Sequence, residues 1–211
     1  HDVWEQHFEC GWWFGDYNNA NKKSNVRLTN CRIRDNFADG VNFCRGTSNS
    51  AVFNCSIRNT GDDGLACWDD PALGTQSGNT FCYNTIDFVW RAGAIAIYGG
   101  KNQHVHNNYI ADTFMSSGIH CNDTFSRGSM EDVLIEENVL VRCGTPWECW
   151  GRDYAAIDFE GTNTATVKNN YCYDCPAEAL RVTGTNSGVT IDGLYISCLL
   201  YTSPSPRDKR Q

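Results

Sequence analysis

The chain has 211 residues and a formal net charge of −8, with Lys and Arg scattered rather than clustered; it offers no footprint for a phosphate backbone, so nucleic acid is not an expected partner. No apolar run reaches the roughly 18 residues of a spanning helix, and no basic, apolar leader opens the chain, so no membrane contact is expected. The length suits one sizeable core, and the wealth of Asn, Gly, Thr and aromatic residues points to short strands joined by many turns.

Residues 1–25 carry Trp4, Phe8, Trp12, Trp13, Phe14 and Tyr17 and lack the pattern that follows. They read as a damaged first turn of the domain or as an aromatic wall beside a cleft. From Val26 a repeat takes over, in Val26 to Ile33, Val52 to Ile57, Tyr83 to Ile86, Val105 to Ile110, Val133 to Leu140, Val167 to Cys172 and Val189 to Ile196. The last apolar residues fall at 33, 57, 86, 110, 140, 172 and 196, giving steps of 24, 29, 24, 30, 32 and 24. A minimum period near 24 with loop insertions is a solenoid signature.

Each copy holds a second short strand with alternating character, seen in Val41 to Phe43, Leu65 to Cys67, Ile95 to Ile97, Ile119 to Cys121, Ile157 to Phe159 and Leu180 to Val182. Short strands at this period predict an all-β parallel β-helix of about seven coils over residues 26–197, with successive coils about 4.8 Å apart. Val41, Leu65, Ile95, Ile119, Ile157 and Leu180 then point inward, and Phe43, Cys67, Ile97, Cys121, Phe159 and Val182 form an interior ladder. Asn30, Asn54, Asn107 and Asn169 are expected to stack as an amide ladder at a recurring turn. Twelve cysteines suggest a secreted, extracellular protein. Cys143 with Cys149 and Cys172 with Cys175 are close enough in sequence to pair, while most of the others read as small buried hydrophobes.

The remaining positions of the second strand face out. Gly40, Gly64, Ala94, Gly118, Ala156 and Ala179 are expected to form a low floor. Beside them run Asn42, Ala66, Ala96, His120, Asp158 and Arg181, then Cys44, Trp68, Tyr98, Asn122, Glu160 and Thr183. A groove lined by carboxylates, amides and aromatic rings suits a polysaccharide, so Asn42, Trp68, Tyr98, His120, Asp158, Glu160 and Arg181 are the candidate substrate-binding residues. Trp68 and Tyr98 read equally well as rim residues packed over strand backbone.

Three carboxylates stand out. Asp39 and Asp63 precede a Gly at equivalent places 24 residues apart, and Asp62 adjoins the second. Stacked on adjacent coils they crowd, so at least one pKa should rise, which lets such a cluster supply both an acid and a base at one pH. Strict alternation would aim Asp39 and Asp63 inward, so this requires a bend just before the glycines. Asp69 and Asp70 read as an ordinary loop.

Asp39-Gly40-Val41-Asn42-Phe43, followed by Asn59-Thr60-Gly61-Asp62-Asp63-Gly64-Leu65-Ala66, resembles the catalytic core of glycoside hydrolase family 87, the α-1,3-glucanases including mycodextranases, related to the family 49 dextranases and family 28 polygalacturonases. The likeness is strongest over Asn25 to Trp68. It implies a right-handed, single-stranded β-helix, a neutral α-glucan substrate, no cofactor and a monomer. By it Asp39, Asp62 and Asp63 match the catalytic acids: Asp62 the proton donor, Asp39 and Asp63 the activators of water in an inverting hydrolysis, with roughly 6.5–9.5 Å between acid and base. Over residues 1–197 the Gly-His-Gly and Arg-x-Lys motifs of polygalacturonases are absent, against a uronate.

Two rivals use the same face. The three acids suit a Ca²⁺ cage in a β-helical polysaccharide lyase, although the base this needs, with Arg45 and Arg91 the nearby candidates, is placed by no motif. A non-catalytic carbohydrate-binding β-helix would keep the aromatics but needs no crowded acids. His104 and His106 share a strand face and could bind a metal; the repeat supplies no third ligand, so a solvated pair is expected. Finally, Cys198 to Asp208 resembles the translation of a transposase sequencing adapter over all 11 residues. Residues 198–211 are therefore expected to be non-native, and the natural chain to be longer than this one at both ends.

Overall fold

The computed structural model describes residues 1–15, 22–70, 72, 75–123, 130–161 and 164–197, and over them the chain winds as a parallel β-helix. Tyr17 and the adapter-like tail lie outside the described residues. One face is a parallel sheet of seven strands in chain order: Trp12–Phe14, Val41–Cys44, Leu65–Trp68, Ile95–Tyr98, Ile119–Asn122, Ile157–Glu160 and Leu180–Thr183. The other two faces belong to a 13-stranded sheet, made continuous because Thr164–Tyr173 runs through both.

Register follows the apolar pattern. Val41, Leu65, Ile95, Ile119, Ile157 and Leu180 pair in succession, as do Phe43, Cys67, Ile97, Cys121, Phe159 and Val182. Against them from the opposite side stacks a column of Ile33, Ile57, Ile86, Ile110 and Leu140. A slip of one residue would turn each set to solvent, which is why β-branched and aromatic residues at every second place fix the pairing. Val182 departs from its expected interior place: it keeps register but is 40% exposed, since no further described strand of that face covers it.

Residues 1–15 form the first coil rather than a separate wall. Trp4–Gln6 pairs with Arg32–Arg34, and Trp12–Phe14 with Val41–Phe43. The repeat is disguised there because Glu5, a buried carboxyl, stands in the column of Ile33. Burial raises its pKa.

The corners are made by residues in left-handed conformation, including Asn30, Asn54, Tyr83, Asn107, Glu137 and Asn169, all with φ between 49° and 57°. Asn is the side-chain-bearing residue best suited to that region. These are the positions expected to carry the amide ladder, but the buried ladder sits one residue later, at Asn84, Asn108, Asn138 and Asn170. Each of the first three donates its backbone N–H and its side-chain amide to the next Asn Oδ1 at 2.9–3.1 Å. Of the expected residues, Asn54 donates to Asn30 at 2.8 Å and Asn107 turns to Glu137. Cys31 and Cys55 hold the ladder's first two places. Most described cysteines are buried, and none of the eleven forms a disulfide; the Cys172 and Cys175 thiols meet by a hydrogen bond.

Candidate active site

The bend before the glycines exists, and it alters the expected floor. A side chain at Gly40 would meet the Cγ2 atoms of Ile57 and Ile33 at 3.1 and 3.4 Å, and one at Gly64 would meet that of Ile86. Ala94 and Ala156 are fully buried members of the core. The small row therefore points into the core at the corner. Two consecutive inward residues, such as Gly40 and Val41, break the alternation and leave Asp39 and Asp63 facing out.

Here one oxygen from each of Asp39, Asp62 and Asp63 lies within 4.8 Å of the others. This is closer than the roughly 6.5–9.5 Å expected between an inverting acid and base, because Asp39 and Asp63 stand on adjacent coils and Asp62 adjoins Asp63 in the chain. Asp39 and Asp63 are pinned by the coil above: Asp63 N–H donates to Asp39 Oδ1 at 3.0 Å, and Gly93 N–H to Asp63 Oδ1 at 2.9 Å. Asn42 Nδ2 donates to Asp39 Oδ2 at 2.7 Å, and the Tyr98 hydroxyl bonds Asp63. Burial, opposed in part by the Asn42 bond, pushes the Asp39 carboxyl up to about 6. Asp63 is raised well above the usual carboxylate range by burial and then by the charges of Asp39 and Asp62. Asp62 differs in kind. Its side chain is 40% exposed, and Arg91 Nη2 donates to its Oδ2 at 2.8 Å.

Two cavities meet at Asp62. A smaller one of about 210 Å³ is lined by Asp39, Asn42, Asp62, Asp63, Trp68 and Tyr98. A larger one of about 430 Å³ is lined by residues including Asp62, Arg91, Tyr98, His120, Trp150, Tyr154 and Glu160. The register expected of the outward rows holds, and Trp13 joins the first row beside Asn42. Five of the seven candidate binding residues, Asn42, Trp68, Tyr98, His120 and Glu160, reach these cavities. Asp158 and Arg181 do not. Asp158 is fully buried beneath the surface, bonded by Arg152, by the Arg181 guanidinium and by the Ala155 N–H. Arg181 is spent on Asp158 and Asp153.

The larger cavity owes one wall to a hairpin that the repeat does not predict. Antiparallel strands Thr145–Cys149 and Arg152–Tyr154 fill the 32-residue step between Leu140 and Cys172. Arg152 bonds Asp158 and, at 2.5 Å, Glu160 Oε2, and lies over the Tyr154 ring. Tyr154 and Tyr98 both meet His120 edge-on, at 5.6 and 5.8 Å between ring centroids. Burial lowers His120 to about 4, so it is neutral at ordinary pH. Trp150 Nε1 donates to the backbone oxygen of Arg91 at 2.9 Å. The overlong step and its two tryptophans were the visible signal; which side chains they would meet was not.

Asp69 is no ordinary loop residue: it is buried, and its Oδ1 accepts the Gln76 N–H at 2.9 Å. Arg45 pairs with Asp70 at 3.8 Å and lies over Trp68. His104 Nε2 lies 3.0 Å from Glu136 Oε1, and His106 Nδ1 lies 2.8 Å from Asn107 Oδ1. Among the described residues, the three acids are the one cluster close enough to hold a metal, and the cation set against them is Arg91.

Residues 1–198 match the family described as "Alpha-1,3-glucanase catalytic domain D2". The crystal structure of the Agl-KA catalytic domain is 30% identical, over 92% of this chain and 45% of its own, with a TM-score of 0.72. A catalytic domain of a glycoside hydrolase family 87 α-1,3-glucanase, solved as a variant with tetrasaccharides, is 25% identical over 90% of this chain and 38% of its own, with a TM-score of 0.77. The catalytic unit of the thermostable enzyme from Streptomyces thermodiastaticus shares the fold, at 23% identity, a TM-score of 0.66 and coverage of 95% and 50%. The chain thus spans half or less of the length of these structures. No curated protein matches it.

Proposed function

The chain belongs to the α-1,3-glucanase catalytic-domain family of glycoside hydrolase family 87, and on that premise we propose that it forms part of a secreted enzyme that hydrolyses α-1,3-glucan with Asp39, Asp62 and Asp63. The observation that carries the proposal is the cluster itself: three carboxyls within 4.8 Å, two of them raised, at the junction of two groove cavities. Burial raises Asp39 to about 6 and Asp63 well above the usual carboxylate range, so near pH 6 the cluster keeps a proton while retaining negative charge. Asp62, the exposed member, delivers that proton to the glycosidic oxygen as the bond to the anomeric carbon breaks. Asp39 and Asp63, held on backbone N–H groups, orient a water, take its proton and leave its oxygen on the anomeric carbon.

Both water-holding acids are buried and tethered, which disfavours either as a covalent nucleophile and supports inversion in spite of their short separation. Proton NMR of the first-formed sugar tests this: a β-anomer supports inversion, and an α-anomer would convert one of them into a nucleophile. Tyr98, Trp68, Trp150 and Tyr154 give ring faces for a neutral sugar. The lyase reading loses ground because a guanidinium, not a site open to a cation, stands against Asp62. Product analysis on α-1,3-glucan, dextran, nigeran and polygalacturonate tests the whole proposal. Reducing sugar from α-1,3-linked material that survives a chelator supports it; an ultraviolet-absorbing, chelator-sensitive product from polygalacturonate would replace it.

A further inference from the structure

We propose that Arg91 is the positioning residue of the site, holding Asp62 at the junction of the two cavities, with Trp150 as its strut. This rests on the proposed hydrolysis and goes beyond it. In coil order Arg91 and Ala92 stand where the preceding coil has Asp62: Gly61 N–H donates to Asn36 O, Trp90 N–H to Thr60 O, and Gly64 N–H to Gly93 O. The solenoid therefore brings a guanidinium directly above the acid. Arg91 Nη2 reaches Asp62 Oδ2 at 2.8 Å, while its main chain is tied at Arg91 O to Trp150 Nε1 at 2.9 Å, across 59 residues of sequence. Phe37 and Trp90 flank the guanidinium, 5.8 and 5.9 Å from its carbon. Backbone anchor, aromatic walls and ion pair leave the group little freedom.

A neutral glucan gives a resident cation nothing to neutralise, so the charge acts on the enzyme's own carboxyls. Facing Asp62 are Asp39 and Asp63 from the same sheet edge, Arg91 from the coil above, and the Tyr98 hydroxyl. Across the larger cavity stand neutral His120, Tyr154 and Glu160, the last already paired with Arg152. Arg91 is thus the cation nearest the cluster, and it also lowers the Asp39 carboxyl against the effect of burial. A guanidinium on one Asp62 oxygen leaves the other for the glycosidic oxygen, and fixes which one that is.

The test uses the full chain, with Arg91→Gln, Arg91→Lys and Trp150→Phe. The kcat and KM on an α-1,3-glucan oligosaccharide are measured separately, and the Asp62 carboxyl resonance is followed by ¹³C NMR without substrate. Arg91→Gln should move that resonance and lower kcat about tenfold or more with KM little changed, the scale of a misplaced catalytic group. Arg91→Lys should restore kcat in part, and Trp150→Phe should lower it by less. Unchanged kcat in Arg91→Gln overturns the proposal, as does a loss carried by KM alone. An Asp62 resonance that moves in Arg91→Gln while the wild-type protein hydrolyses no α-1,3-glucan would sink the functional reading and leave the role of Arg91 intact.

Discussion

The carboxylate of Asp39 accepts the backbone N–H of Asp63, at 3.0 Å, so this catalytic candidate is fixed by the chain of the next coil. The relation repeats one coil on, where Gly93 N–H serves Asp63. A solenoid can therefore set acids at coil spacing without a loop to hold them. The cost is that two carboxyls are buried side by side, and this cost is measurable.

Asp39 should destabilise the fold at neutral pH. Its folded pKa of about 6 lies above the ordinary 3.8, so between these values the native state keeps a proton that the unfolded chain has released, and stability falls as pH rises. Above pH 6 the full penalty applies, on the order of 2–3 kcal/mol. Asp39→Asn should accordingly raise Tm at pH 7.5 and leave it nearly unchanged at pH 3.5. Asn fits the site, because the unpartnered Oδ1 of Asn42 can turn to accept from it. Equal Tm changes at both pH values would show that the penalty is not protonic.

The same substitution should abolish function. Asp39→Asn, Asp62→Asn and Asp63→Asn should each lower turnover on α-1,3-glucan by about a hundredfold or more, the scale of losing a positioned acid or base, with folding intact by circular dichroism. Asp112→Asn, whose acid pairs with Arg142 on another corner, is the control. Near-normal turnover in the Asp62 variant would remove it as the proton donor.

The coils and their register were legible because inward positions recur as Val, Ile, Leu and Phe at every second place, a pattern that only one pairing can bury. The amide ladder was misplaced by one residue. Asn30, Asn54, Asn107 and Asn169 recur for a backbone reason, their positive φ, while Asn84, Asn108, Asn138 and Asn170 recur for a hydrogen-bonding one, and adjacent asparagines look alike in sequence. The acids were legible as a duplicated motif before glycines. Arg91 was legible only as a nearby cation that no motif placed, and Trp150 and Tyr154 were not legible at the site, since each reaches it through an irregular turn or an inserted hairpin, where spacing along the chain says nothing about contact.

The ladder makes its own prediction. Asn138 is fully buried, donates to Val105 O, Glu136 O and Asn170 Oδ1, and accepts twice from Asn108. Asn138→Ala strips partners from several buried groups and should cost about 3 kcal/mol or more. Asn107→Ala forces Ala into the left-handed region at φ 52° and should cost about 1–2 kcal/mol. Urea midpoints in the reverse order would mean that the corner, not the ladder, holds the coils.

Asp158 supplies the last prediction, because its two readings differ in what they would move. As a direct sugar contact, its loss would weaken substrate binding and leave the hairpin unchanged. The structure instead buries it completely and sets two guanidinium groups against it, from Arg152 in the hairpin and Arg181 in the following coil. Arg152 in turn holds Glu160 and covers Tyr154, and the same hairpin carries Trp150 to Arg91. Breaking a buried pair on one side is expected to cost about 3–5 kcal/mol, and here the loss falls on the element that walls the larger cavity. Asp158→Asn should lower Tm, speed hydrogen exchange over residues 145–154, and reduce kcat about tenfold or more through misplaced walls. Asp153→Asn, which removes the exposed partner of Arg181, should do much less. An Asp158 variant with normal hairpin protection, unchanged kcat and a raised KM would return this residue to the list of sugar contacts.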